Sequence, residues 1–423
     1  MPRAPGFQAA ARHVERWACF AWFAALPNSN SLEAISFSVW LAASVSLLPS
    51  RLNALASLVR SAPFVLFASM CLLRFASVAW SDAEVQPLSQ LSRFLLLPLM
   101  LGPLVGSWPL LLGGFIGGAC ACAIILIVRN VRFEGTRTYV ELITHGKDIG
   151  MMCVCFVQAF GVVLCLAPAL WCRHAVMRLL AFGLTVAGVL LCGQRTAILG
   201  TTAGLAAYLL MLISRGSVPS GERRRHGVSA GLALAAVLVL LVSNPRTREW
   251  ATRWAASFDQ PATLLADKGL ADDRGPLLRA AFIIWSDHPL LGAGAGSFQP
   301  ELASLCKQSP ERLGLTPERA SGFSTLTTSH NGLGDELACR GVLGGLIYVS
   351  LVASILWAAL RRPGSVALGV SLAIWLAFSL TDAVTLRGTH LAILAVIVTA
   401  AATINAQRRR DVPGDGPVAL DQA

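Results

Sequence analysis

The stretch from Thr325 to Gly345, TLTTSHNGLGDELACRGVLGG, holds the side chains best suited to chemistry. His330 is followed by Asn331, Asp335 and Glu336 at the entry to a long apolar helix. An imidazole takes a proton from a hydroxyl near neutral pH. At the mouth of an apolar bundle it would be partly shielded yet open to a polar substrate. The alternative is a histidine that caps the helix end and does no chemistry; residue type alone leaves the two readings level. Glu336 and Arg340 stand four residues apart, which suits a structural ion pair.

Arginines offer a second kind of chemistry. Arg195, in CGQRTAILG, sits between two apolar runs, where a guanidinium is costly unless an anion meets it. Its planar fork suits phosphate oxygens; snorkelling to the interface is the other reading. Arg274 opens a helical segment, Arg279 follows further along it, and Arg93 falls in the outer half of an apolar run. Arg74 lies inside another run, with no separate role assigned to it. The seven histidines show no metal-ligand spacing. Neither a nucleophile elbow nor a phosphate-binding loop of the ATPase kind occurs. The expectation is therefore no metal and no cofactor. The 11 cysteines lie mostly in apolar runs, where cysteine packs as a small hydrophobe, and no essential disulfide is expected.

These residues need elements to position them. The chain has 423 residues, of which 55% are hydrophobic and 13% charged, against about 25% charged in a soluble domain. Its mean hydropathy is +0.63. No single core needs so much apolar sequence, so the solvent must be lipid. The net charge of +11 reads as arginines in loops on one side of a membrane, not as a nucleic-acid surface. The fold class expected is an all-α integral membrane protein of about twelve spans. Their limits fall near 16–28, 31–49, 61–80, 88–106, 108–128, 149–170, 174–192, 194–214, 227–244, 334–360, 364–382 and 388–406. The first run is too short, and too poor in a cleavage site, for a signal peptide.

With both termini in the cytoplasm, the arginine-rich connections fall inside and the connection with SDAE at 81–84 falls outside, as the positive-inside rule asks. The outer loop near 129–148 breaks the rule with Arg129, Arg132, Arg137 and Lys147. Either that charge is kept for an anionic ligand, or the loop's own acids balance it. The organisation expected is transmembrane helices in 1–243, an outer loop or lid in 244–333, further spans in 334–406 and a disordered cytoplasmic tail in 407–423. A loop of that length is far beyond an ordinary connection. Within it, Arg274 to Asp287 reads as an amphipathic helix with Leu277, Leu278, Ala281, Phe282 and Trp285 on its apolar face. Asp272 and Asp273 precede it as capping candidates. Pro289 then biases His288 away from helix. Gly292, Gly294 and Gly296 allow an irregular turn, with no dinucleotide fingerprint around it.

Three stretches, taken in order, resemble the O-antigen ligase family within the superfamily of O-antigen ligases and polymerases. They are GQRTAILG (193–200), DDRGPLLRAAFIIWSDHPLLGAGAGSF (272–298) and SHNGLGDELACRGVLGG (329–345), with AWSDAE (79–84) before Arg93 as a fourth. The resemblance covers mainly residues 190–345. It departs at Leu278, where many relatives carry an aromatic residue, and at Gly334, where leucine is common.

The resemblance implies a membrane glycosyltransferase of GT-C-like architecture at the periplasmic face of the bacterial inner membrane. Its donor would be a glycan on undecaprenyl pyrophosphate, and its acceptor a sugar hydroxyl of lipid A-core. It would need no metal. His330 matches the family's proposed base. Arg195 and Arg274 match its pyrophosphate-facing arginines, with Arg279, Arg93 and Arg137 as further substrate contacts. Asn331, Asp335, Gly292 and Gly294 are supporting residues. Three other readings stay open: a polymerase of the same superfamily, a protein O-glycosyltransferase, and a lipid-linked glycan transporter. A transporter should show repeats and charges near mid-membrane, whereas the distinctive polar residues here gather at one face.

Overall fold

The protein is described by a computed structural model covering residues 5–26, 30–81, 89–132, 151–165, 174–192, 195–214, 274–361, 366–380 and 388–411, with a few isolated positions between. Among the described residues the regular structure is entirely helical. The helices are α1 (Pro5–Ala25), α2 (Asn30–Leu47), α3 (Leu52–Val59), α4 (Ala62–Ala76), α5 (Ser89–Leu101), α6 (Trp108–Arg132), α7 (Met151–Cys165) and α8 (Ala175–Cys192). They continue with α9 (Arg195–Ser214), α10 (Arg274–Asp287), α11 (Phe298–Gln308), α12 (Pro317–Phe323), α13 (Gly332–Arg361), α14 (Val366–Ser379) and α15 (Gly388–Asp411).

Four stretches are long and apolar enough to cross a membrane: Leu32–Ser50, Ala62–Trp80, Pro109–Val128 and Gly332–Arg361. Shorter apolar helices lie at Leu95–Leu104, Val176–Val189, Thr196–Met211, Val366–Ser379 and Leu391–Ile404. The chain is thus a helical integral membrane protein. The expected run at 227–244 lies almost wholly outside the described residues, as do Asp272, Asp273 and Arg137. Three boundaries differ from expectation. Helix α1 begins at Pro5, well before the first apolar run; α6 carries Arg129 and Arg132 inside it; and α15 runs on to Asp411. In each case polar residues continue a helix that hydropathy alone ends too soon, because backbone hydrogen bonding does not stop where apolar side chains stop.

The bundle core is apolar, with Trp22, Trp40, Phe67, Trp375 and Phe378 fully buried. Close helix approach depends on small residues, as is usual in lipid, where packing replaces the hydrophobic drive. A Cβ on Gly200 would strike the Phe378 ring, and one on Gly204 would meet Ile374. Helices α9 and α14 therefore run antiparallel, and the start of α9 lies at the same end of the bundle as Ser379 and Leu380.

Residues 274–329 form a cap on that end. Its own core contains Leu277, Ala281, Ile284, Phe298, Leu302, Leu313 and Phe323, and it shares Ala338 and Cys339 with α13. Each large apolar side chain so buried contributes about 1.5–3 kcal/mol. Cys306 belongs to this core, and burial pushes its thiol up. The buried face of α10 is Leu277, Ala280, Ala281 and Ile284. Phe282, expected on that face, is exposed. The two alanines let α10 lie close to α13, where a Cβ on Gly334 would meet Leu278 and Ala281, and that approach turns Phe282 outward.

Helix α13 is broken once, at Gly341, where φ is 62° and ψ −160°. Residues 289–294 fill the break. The Ala293 and Gly294 amides donate to the carbonyls of Ala338 (2.9 Å) and Cys339 (3.0 Å), and the Val342 amide donates to the Pro289 carbonyl (2.8 Å). A Cβ on Gly341 would collide with the Leu290 backbone. Gly341→Ala is accordingly expected to lose at least about 1–3 kcal/mol through backbone strain alone. Gly117→Ala, where a Cβ meets nothing within 4 Å, should change little. Thermal unfolding of the two purified variants in detergent checks this, and equal midpoints would contradict a locked joint.

Candidate functional site

Ser329, His330 and Asn331 join the cap to α13. His330 is half-buried and is the one non-glycine residue with positive φ (53°) among the described residues. An L-residue pays on the order of 1 kcal/mol for that conformation, so neighbours must enforce it. They do so on both sides. The Ser329 amide donates to Asp335 Oδ1 (2.7 Å). Ser329 Oγ donates to the Asn331 carbonyl (2.9 Å). Asn331 Oδ1 accepts from the Gly334 amide (2.9 Å), the usual N-cap bond. Asn331 Nδ2 reaches the Leu380 carbonyl at 3.4 Å, which ties the turn to the end of α14. The Tyr348 hydroxyl bonds Ser379 just below.

Asp335 and Glu336 are both fully buried. Glu336 accepts from Arg340 Nη1 at 2.9 Å and also pairs with Arg74 of α4. The pair spaced four apart is present as the sequence suggests, and Arg74 is the residue that sequence reasoning left without a role. The available signal was general: an arginine inside an apolar run needs a partner. This cluster anchors the first turns of α13 to α4.

Residues 77–81, which end at the first residue of SDAE, join the same region. Ser81 Oγ donates to the Ala295 carbonyl and lies 3.1 Å from Ser297 Oγ. The Ala295 amide donates to the Ser77 carbonyl (3.2 Å). Gly292 and Gly294, with φ of 68° and 99°, are thereby pressed against α13 and Ser81; a Cβ on Gly294 would lie 2.7 Å from Ser81 Cα.

The expected arginines fall as follows. Arg195 is the first residue of α9, at the bundle end that carries Leu380 and Asn331. Arg274 is the first residue of α10, one turn before Leu278, whose side chain lies against Gly334. Arg93 is in the second turn of α5, which follows Ser81 after one short connection. Arg279 lies over Gly314 within the cap. Helices α9, α10 and α13 begin at this end, and helix N-termini favour negative charge. Among the described residues no three His, Cys, Asp or Glu side chains gather as a metal-binding group.

The fold and this junction define a class: a polytopic helical membrane protein whose helical cap meets the bundle at a polar turn holding one strained histidine. The family model described as O-antigen ligase matches residues 180–349, a span that includes Arg195, the cap helices and the whole histidine turn. Residues 180–349 are thus similar to the O-antigen ligase family. No curated protein matches the chain closely enough to add to this.

Replacing Glu336 by alanine would leave Arg74 and Arg340 buried without their shared carboxylate. Removing one partner of a buried ion pair costs about 3–5 kcal/mol. The expected outcome is a collapse in monodisperse yield and a lowered unfolding midpoint. A wild-type elution profile and midpoint would show that the cluster does not hold α13 in place.

Proposed function

We propose that the protein is an O-antigen ligase, moving a glycan from undecaprenyl pyrophosphate to a sugar hydroxyl of lipid A-core. In this reading the cap is periplasmic, both termini are cytoplasmic, the membrane is the bacterial inner membrane, and the bundle has about twelve spans in a GT-C-like arrangement. The observation that carries it is His330: a half-buried imidazole on a strained turn, at the mouth where α9, α10 and α13 begin. Backbone strain that surrounding bonds enforce is a common mark of a functional residue.

His330 accepts the proton of the acceptor hydroxyl as its oxygen attacks the anomeric carbon. The bond from that carbon to the phosphate oxygen breaks, and undecaprenyl pyrophosphate leaves with the electron pair. Arg195 and Arg274, with Arg93, Arg279 and Arg137 as further candidates, meet the developing charge on the pyrophosphate. Two lipid-anchored substrates held in one cleft react as if joined. Direct displacement inverts the anomeric centre, so a product of retained configuration would count against it.

Purified protein given an undecaprenyl-pyrophosphate glycan, with and without lipid A-core, separates the readings. Glycan on lipid A-core identifies a ligase. Longer undecaprenyl-linked chains identify a polymerase with the same chemistry and another acceptor. Transport without a new glycosidic bond rejects both.

A pair of substitutions separates chemistry from backbone. His330→Ala should insert and fold yet lose transfer at least a hundredfold, the scale of general-base catalysis. His330→Gly relieves the left-handed strain, so it should be at least as stable as the parent and equally inactive. Activity near the parent's in either variant removes His330 as the base.

A further inference from the structure

The break at Gly341 divides α13 into two helices with different surroundings. Before it, residues 332–340 carry Asp335, Glu336 and Arg340, all buried against the cap and α4. After it runs an apolar segment, 342–360, of about 19 residues, close to the ~20 that cross a hydrocarbon core of ~30 Å. Its far end is marked by Arg361, whose guanidinium sits 3.7 Å over the exposed Trp357 ring, the pairing of aromatic and cation found at membrane boundaries. If one boundary lies at Trp357–Arg361, the other lies at Val342–Leu343.

The cap turn is bonded to those two residues. The Pro289 carbonyl accepts from Val342 and the Leu290 carbonyl from Leu343, so the turn shares the depth of the span's first residues. It presents large apolar side chains there: Leu290 is 70% exposed, Leu291 48% and Phe282 47%. Phe282 packs edge-on against Trp285 at 6.1 Å, and the Trp285 indole N–H donates to the Pro289 carbonyl (3.1 Å). One turn down the span, Leu346 is 60% exposed on the face a membrane helix gives to lipid. Exposed Asp287 and His288 edge the patch. The patch therefore continues the apolar outer surface of α13 onto the cap.

We propose that the Phe282–Leu291 edge of the cap is a membrane-binding surface, with Phe282, Leu290 and Leu291 entering the boundary between headgroups and acyl chains on the cap's side of the bilayer. An amphipathic surface of this kind buries its apolar face a few ångströms into that boundary. The cap then rests on the bilayer as well as on the bundle. The inference depends on the span and its joint with the cap, and stands apart from the proposed reaction.

The test is a spin label on Leu290→Cys in the full chain, reconstituted into nanodiscs of phosphatidylethanolamine and phosphatidylglycerol. Unsubstituted protein labelled in parallel supplies the background from native cysteines. Collision with oxygen reports lipid, and collision with a water-soluble nickel chelate reports solvent. Leu346→Cys is the lipid-facing reference and Glu318→Cys the solvent-facing one. The expected result is at least a fivefold excess of oxygen over nickel accessibility for Leu290→Cys relative to Glu318→Cys, close to that of Leu346→Cys. A label that behaves like Glu318→Cys overturns the proposal. So does one shielded from both reagents, which would mean that protein, such as a second copy of the chain, covers the patch. Phe282→Cys carries the same expectation and decides the matter if Leu290→Cys does not elute as a folded species.

Discussion

A break inside a long apolar helix leaves carbonyls on one side and amides on the other that apolar surroundings cannot satisfy. Here residues 289–294 satisfy them. The carbonyls of Ala338 and Cys339 accept from the turn, and the Val342 amide donates back to it. Each such bond contributes only about 0.5–1.5 kcal/mol net, but leaving its groups unmet would cost more than that. The exchange works because Gly292, Gly294 and Gly341 all take positive φ and lack a Cβ where the two backbones touch. Cap, bundle and the end of α4 are thus joined through backbone atoms, which do not hop between rotamers.

The ion cluster beneath the joint does related work on side chains. Glu336 is fully buried between Arg74 and Arg340. Such a cluster adds little stability compared with well-packed apolar residues, but it is specific about partners. It fixes which face of α13 meets α4, and so which way the first turn of α13 points. His330 stands one residue before the N-cap of that turn, and its direction is set from below by the cluster and from the sides by Ser329, Asn331 and Leu380.

Much of this was legible in the sequence, because membrane helices announce themselves by composition. The expected runs at 31–49, 61–80, 108–128 and 334–360 correspond to α2, α4 with the 3-10 turn Ser77–Trp80 that follows it, α6 and α13. The amphipathic segment Arg274 to Asp287 matches α10 in extent. The glycine turn was legible as irregular, and Asn331, next to the candidate base, as part of a helix start. The partners were hidden. Periodicity placed Phe282 inward because it cannot see that Ala280, Ala281 and Gly334 bring two helices close enough to choose a narrower face. Arg74 and Glu336 lie far apart in the chain, and no local pattern joins them. The break at Gly341 reads in sequence as one more glycine in an apolar helix; only the approach of Leu290 makes it obligatory.

Leu278 and Gly334, far apart in the chain, form one contact. A Cβ on Gly334 would lie 3.4 Å from Leu278 Cδ1 and 3.0 Å from Ser329 Oγ. The missing side chain at this crossing lets α10 and α13 approach more closely than a larger residue would allow. Ser329 Oγ, beside that crossing, donates to the Asn331 carbonyl and accepts from the Asn331 amide. A bulkier pair would push outward the residue that helps hold His330 in its strained backbone. The packing of cap on span and the geometry of the histidine turn are therefore one constraint, set by the volumes of a leucine and a missing side chain.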